Sequence, residues 1–445
     1  MALLKTDPTE KLMDKLGLKD AATAVQPAAR PGAEALAEPR DPIKLGRLLT
    51  FVFPAVTMLY GIQNAVGAVL LPEQIAEIAP GQKVGALATT ATMGAVIALF
   101  ALPAGGALSD GTRSRFGRRN PWIFVTGLLG AAVAIALGAA PSLAALTGLF
   151  VLGALVFNVY GGAISAILPE RVPEARRGVA SAVFGLGTPV GILVGVNIAG
   201  ALSRTVAYWT LGVLFAACSV VLVIGAREPD CTGVPKPARE RGRVEWRKLL
   251  AAFRSHDFTY AFISRAGFFL AFSLVNGYLL YTLSDFIGEE KLPGHSAATG
   301  VSIITSISTV MWLVIATTMG WLADRLDRRK TFVAVAAVGL GATMLIPVLF
   351  PTWPGMLAYG FLSGGFIGTY FAVDLALMSL VLPDPQNQGR DMGILTAGLT
   401  LPGIFSGALA GMIISSPGGY NALFCFAAGC AATGGIATWR IRGVR

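Results

Sequence analysis

Along this chain of 445 residues the apolar positions fall into long unbroken runs, not into the alternation of a strand or the narrow stripe of a soluble helix. A helix needs about 20 residues to cross roughly 30 Å of hydrocarbon. Runs of that length predict twelve spans, at 47–71, 84–109, 121–140, 143–168, 178–203, 206–226, 258–286, 298–323, 331–350, 355–382, 391–415 and 420–439. Only two polar stretches between or before them are long. The expected organisation is a polar tail (1–45), a six-helix half (46–226), a polar linker (227–257), a second six-helix half (258–440) and a short tail (441–445). The fold class this predicts is all-α integral membrane, with the lipid bilayer as the first partner.

Composition agrees, since 54% apolar residues, 13% charged residues and 54 Gly lie outside the range of an ordinary soluble protein of this length. The charges then orient the spans. Of 35 Lys and Arg, 31 fall in the segments that twelve crossings place on one side, together with both ends of the chain. Lys83, Arg204 and Lys291 fall on the other side, and Arg265 lies within a span. The positive-inside rule therefore predicts a multi-pass cell (inner) membrane protein with both termini cytoplasmic. The net charge of +10 is an orientation signal, and no nucleic acid is expected as a partner.

Candidate chemistry is sparse. Cys218, Cys425 and Cys430 lie in spans and Cys231 in the linker, which does not read as a disulfide framework. His256 and His295 sit at loops, so no histidine relay or metal site is expected in the membrane, no cofactor is implied, and nothing marks an enzyme. The tail shows no signal-peptide core, and Leu12, Met13 and Leu16 with Lys11, Lys15 and Lys19 fit either a short surface helix or a disordered tail. The linker run RGRVEWRKLLAAFR fits a scaffold helix on an anionic leaflet.

Polar residues inside spans are costly and mark function or helix contacts. Tyr60, Gln63, Asn64 and Gly67 share one face of the first span; Asn158, Gly162 and Ser165 share one face of the fourth, which also carries Tyr160. In the seventh, Arg265, Phe269, Phe272 and Asn276 form a continuous face. In the tenth, Ser363, Tyr370 and Asp374 do the same, and Asp374 is the carboxylate placed well inside a span. Arg265 and Asp374 are expected at similar depth, which makes an ion pair plausible. The competing readings are an Arg265 that snorkels to the headgroups and a purely structural clamp.

The stretch GALSDGTRSRFGRR, Gly106–Arg119, recurs 214 residues later as GWLADRLDRRK, Gly320–Lys330. The same offset aligns Leu168-Pro169-Glu170 with Leu382-Pro383-Asp384, Arg176 with Arg390, and Tyr160 with Asp374. Two distant matches at one offset indicate duplicated halves.

Gly106, Leu108, Asp110, Gly117, Arg118 and Arg119 resemble the signature loop between helices 2 and 3 of the major facilitator superfamily, and Gly320, Asp324, Arg325, Arg328 and Arg329 resemble its degenerate second copy. Within that superfamily, SDGTRSRFGRRNPWI is similar to the loop of sugar and glycoside cation symporters and sucrose-type carriers. GLGTPVGILVG, Gly185–Gly195, resembles the glycine-proline motif of drug exporters only loosely, and close helix packing is the stronger reading there.

The resemblance covers about residues 45–440 and implies two pseudo-symmetric six-helix halves that rock about a central site in a monomer. It places helices 1, 4, 7 and 10 around the cavity. Substrate contact is thus expected from Tyr60, Gln63, Asn64, Asn158, Tyr160, Asn276 and Tyr370, and proton coupling from Asp374 with Arg265. It also implies a conformational latch built from Gly106, Asp110, Arg118, Arg119, Gly320, Asp324, Arg328 and Arg390. In that latch Asp110 meets the start of helix 11 and Asp324 the start of helix 5. The leading expectation is alternating-access, proton-coupled symport of a small polar organic solute such as a sugar or glycoside. A proton-driven exporter of amphipathic compounds or drugs, and a non-transporting carrier fold used for assembly or sensing, are the alternatives.

Overall fold

A computed structural model describes residues 45–173, 176–233, 252–382 and 388–443. The tail motif and most of the RGRVEWRKLLAAFR run lie outside the described residues. Among the described residues, twelve helices are long and apolar enough to span a bilayer, and there is no strand. They are α1 (Leu45–Ile78), α2 (Pro80–Gly111), α3 (Asn120–Gly138), α4 (Leu143–Ser165), α5 (Arg177–Ala201), α6 (Arg204–Gly225), α7 (His256–Gly277), α8 (Ala297–Leu326), α9 (Arg329–Leu349), α10 (Trp353–Leu380), α11 (Asp391–Ile414) and α12 (Gly419–Trp439).

Two ends depart from the hydropathy pattern: α7 stops at Gly277, short of the apolar run, and α1 continues through LPEQIAEI, Leu71–Ile78. The acidic residues there end the apolar run, yet the helix persists because its polar groups find partners. Buried Gln74 donates to the Leu137 carbonyl at 2.9 Å, and Glu77 pairs with Arg204. Both α1 and the segment following α7 carry a π-helical stretch, at Val66–Leu70 and Thr282–Gly288, near corresponding places in the two halves.

Packing repeats the duplication. In the first half α1 lies on α5 and α6, α2 on α4, and α3 on α4 and α6; in the second, α7 lies on α11 and α12, α8 on α10, and α9 on α10 and α12. Close approach is set by small residues. A Cβ on Gly195 of α5 would stand 2.0 Å from the Gly61 carbonyl oxygen of α1, so this crossing needs glycine. GLGTPVGILVG is thus a packing surface for α1, as its composition suggested.

The halves meet through α2 with α11 and α5 with α8. The Arg113–Arg119 loop defines a basic face, and the cross-half contacts lie towards the opposite, far end. There Thr299 donates to the Gly200 carbonyl (3.1 Å), Asn197 to Ser306 (2.7 Å), and Gly411 packs on Ala88. Nearer the basic face, Phe100, Leu108, Val179, Val314, Trp321 and Phe405 are exposed. The cross-half contacts named above thus belong to the far end.

Candidate functional site

The floor of the site is a buried ion pair. Arg265 of α7 and Asp374 of α10 are 8% and 3% exposed, and Nη2 lies 3.4 Å from Oδ2. α7 is fixed behind the pair by a Ser264–Thr438 hydroxyl hydrogen bond of 2.6 Å to α12. Such depth rules out snorkelling in this conformation: the guanidinium points at a carboxylate rather than at the headgroups.

Around the pair stands an aromatic wall. Tyr370 stacks on Phe268 (3.6 Å between centroids, 12° between planes) and meets Phe269 edge-on at 5.9 Å. Phe371, one residue on, meets Phe269 edge-on at 5.5 Å and stacks on Trp312 of α8 at 4.8 Å. The Arg265 guanidinium sits 6.0 Å from the Phe269 ring centroid. Arg265 Nε and Nη1 and Asp374 Oδ1 make no hydrogen bond within the protein. The Tyr370 hydroxyl lies close to the carboxylate without a well-aligned bond. Buried polar atoms with spare bonding capacity are costly, which makes the pair responsive to a proton or a ligand group. Phe268, Phe371 and Trp312 escape a reading of the sequence because aromatic residues inside a span read as ordinary core.

The remaining expected residues divide. Tyr60, Gln63, Asn64, Asn158 and Asn276 are half-buried. The two asparagines of the first half turn to their own helices, Asn64 Nδ2 to the Tyr60 carbonyl (2.9 Å) and Asn158 Nδ2 to the Ala154 carbonyl (2.7 Å). Tyr370 is fully buried beside the ion pair, and Tyr160 lies equally deep away from it. Tyr160 is fully buried within the first half, where its hydroxyl accepts from Ser219 of α6 (3.1 Å) and its ring packs on Phe215. A tyrosine buries its ring best where its hydroxyl finds a partner, and here that partner is on α6.

The carboxylates expected to form the latch pair within their own halves in this conformation. Gly106 faces Gly162 of α4, not α11. Asp110 accepts from Arg119, which also donates to Ser109 and, at 3.0 Å, to Glu170; Arg118 reaches Glu170 at 3.2 Å. Asp324 accepts from Arg329 at 2.9 Å, Gly320 packs beside Ala372 of α10, and Arg328 is exposed at the start of α9. Each carboxylate thus has a cation of its own half within reach. The side chain of Arg390 lies outside the described residues.

Next to this loop, Glu228 at the start of the linker accepts from the Arg119 and Asn120 backbone amides (2.8 and 3.3 Å), capping the start of α3. Burial raises its carboxyl above the ordinary glutamate range, against the opposing pull of those amides.

The far end is closed by groups that were legible only as lone charges. Lys83 pairs with Asp285 (2.7 Å), whose other oxygen accepts from the Tyr420 hydroxyl (2.8 Å), and Lys83 lies 5.1 Å over the Tyr281 ring. The Tyr281 hydroxyl donates to the Pro72 carbonyl (2.9 Å) and that of Tyr278 to the carbonyls of Val84 (3.2 Å) and Gly407 (2.9 Å). Lys83, Pro72 and Val84 belong to the first half and the others to the second. This is therefore a cross-half clamp.

The profile described as Major Facilitator Superfamily matches residues 53–290 and 292–445, nearly the whole of the twelve-helix unit. The chain belongs to the major facilitator superfamily. Its twelve long apolar helices make it a multi-pass membrane protein. Multidrug resistance protein MdtG of Serratia proteamaculans (strain 568) is 27% identical over 285 residues, which cover 61% of this chain and 66% of that protein, just under two thirds of its length. Among solved structures, peptide transporter POT in complex with sulfate superposes with a TM-score of 0.69 at 17% identity, covering 92% of this chain and 96% of that one. A bacterial homologue of the human lysosomal transporter Spinster, in an inward-facing and unoccupied conformation, gives 0.65 at 14% identity, covering 89% and 94%. At these identities the structures show a shared fold.

Proposed function

We propose that this superfamily member is a proton-driven exporter of amphipathic organic compounds that works by alternating access. The observation that carries the reading is the stacked Phe371–Trp312 pair, which is accessible, beside one buried Arg265–Asp374 pair that Phe268, Phe269 and Tyr370 back from the core. Stacked rings and a carboxylate suit a flat lipophilic cation, which gains cation–π and charge contacts together. A sugar calls for several convergent hydrogen-bonding groups, whereas Asn64 and Asn158 each spend a donor on their own helix. The likeness to relatives named multidrug resistance protein supports the same reading.

In this mechanism Asp374 carries the coupling. Ionised, it pairs with Arg265 or with a cationic solute; protonated, it releases both. A proton and the substrate thus compete for one carboxylate, which is the requirement for exchange. The basic face is cytoplasmic by its charge, so the present conformation opens inward while the Lys83–Asp285 clamp shuts the outside of the inner membrane. Each chain holds its own cleft, and a monomer suffices.

The test is transport in proteoliposomes. With an imposed proton gradient, wild type should move ethidium uphill, and Asp374→Asn should abolish the gradient-driven component. Proton-dependent accumulation of a labelled glycoside, with no movement of ethidium, would replace this reading by sugar symport. Transport of neither by wild type would favour the assembly or sensing role.

A further inference from the structure

A second cluster of charge, unused by the transport mechanism, lies at the basic face of the second half. The starts of α7 and α9 and the end of α12 converge there on a cavity of about 480 Å³. Its lining includes His256, Tyr260, Lys330, Trp439, Arg440 and Arg442. We propose that this cavity binds the phosphate of an anionic membrane phospholipid.

The charge balance is one-sided. Lys330, Arg440 and Arg442 bring three cations, and the neighbouring carboxylate, Asp257, is already engaged. Its oxygens accept from the backbone amides of Arg442 (2.9 Å) and Gly443 (2.7 Å), and Oδ1 stands 3.2 Å from His256 Nδ1. Lys330 donates to the Ile441 carbonyl, so Asp257 and Lys330 together clamp the segment after α12 across the cavity. A Cβ at position 443 would stand 2.7 Å from the Asp257 carboxylate, which is why a glycine permits this clamp. Arg440 makes only a long 3.5 Å contact from Nη1 to the Tyr260 hydroxyl, leaving most of its fork of donors for a ligand.

Location selects a lipid over a soluble anion. α7 and α9 begin and α12 ends here, at the height where a bilayer passes from hydrocarbon to headgroups. Trp439 is 56% exposed at the rim, as an interfacial tryptophan is, and Ile436 one turn deeper is exposed on the same helix for an acyl chain to follow. Basic pockets between helix ends are suited to phosphate headgroups. The starts of α7 and α9 add the positive ends of two helix dipoles.

The experiment is a lipid titration of the purified full chain by native mass spectrometry, with thermal melting in detergent as a parallel reading. Phosphatidylglycerol or cardiolipin should bind and raise the melting temperature; phosphatidylcholine and inorganic phosphate should not. Each basic side chain near an anionic headgroup contributes about fivefold, so Arg440→Gln with Arg442→Gln should weaken binding about thirtyfold. Arg325→Gln, which removes one positive charge elsewhere on the same face, as Arg442→Gln alone does here, should leave binding intact. Should the double variant not fold, Arg442→Gln alone should weaken binding about fivefold. Unchanged affinity in the variants, equal stabilisation by phosphatidylcholine, or reproduction of the effect by inorganic phosphate alone would each overturn the proposal.

Discussion

Removing one member of the Arg265–Asp374 pair leaves the other charge buried against aromatic rings. At the observed 3.4 Å, and with an effective dielectric constant of about 20, the attraction between unit charges is ~5 kcal/mol. Loss of one partner of a buried pair typically costs about 3–5 kcal/mol, because the survivor is uncompensated. Arg265→Gln and Asp374→Asn should each lower stability by that order. The double variant carries two neutral amides in place of two charges, Asn matching Asp in volume and Gln being shorter than Arg. It should lose about 3 kcal/mol less than the sum of the single losses. Unfolding in detergent, followed by tryptophan fluorescence and closed as a thermodynamic cycle, measures this coupling. Transport should stay lost in the double variant, since the protonatable group is gone. Additivity within about 0.5 kcal/mol would show that the two residues do not compensate each other, and a nearly silent Arg265→Gln would restore the snorkelling arginine.

Three other perturbations follow from particular contacts. Asp285→Asn removes the Lys83 ion pair of the far-end clamp, a half-exposed contact worth about 0.5–1 kcal/mol, and should favour opening of that end two- to fivefold. A cysteine at Ala88, buried against Gly411, should then react faster with a membrane-impermeant reagent, and an unchanged rate would remove the clamp from the gating cycle. Gly195→Val drives a branched side chain into the α1 backbone and should prevent accumulation of folded protein; normal expression and melting would contradict the close crossing. Glu228, whose carboxyl is raised by burial, binds its proton more tightly folded than unfolded. Its contribution is therefore greatest at low pH and is lost as pH climbs from the ordinary glutamate value through the raised one. Glu228→Gln mimics the protonated form, so its melting temperature should gain on wild type across that window, and a pH-independent difference would refute the assignment.

Much of the fold was legible because a bilayer imposes its length on the chain. Twelve apolar runs became twelve helices with ends shifted by a few residues, except at α7, which stops at Gly277, and at α1, which ran on through a polar turn whose partners, Leu137 and Arg204, are far away in sequence. The duplicated loop disclosed the pseudo-symmetry before any contact was known. Asp374 stood out as a carboxylate where solvation is expensive, and Arg265 for the same reason.

The sequence by itself determined the number of spans, the repeat and which charges lie deep, since all three follow from local hydropathy and periodicity. Tertiary structure alone decided which deep groups meet. Tyr160 and Asp374 occupy equivalent places in the two halves, yet one is core and the other sits in the site, because Ser219 faces the first and Arg265 the second. The same holds for Asp110: a carboxylate pairs with the nearest cation, and only the folded arrangement of the loop makes that cation Arg119. The far-end clamp joins Lys83 to Asp285 across 202 positions of chain, a distance over which no periodicity carries information.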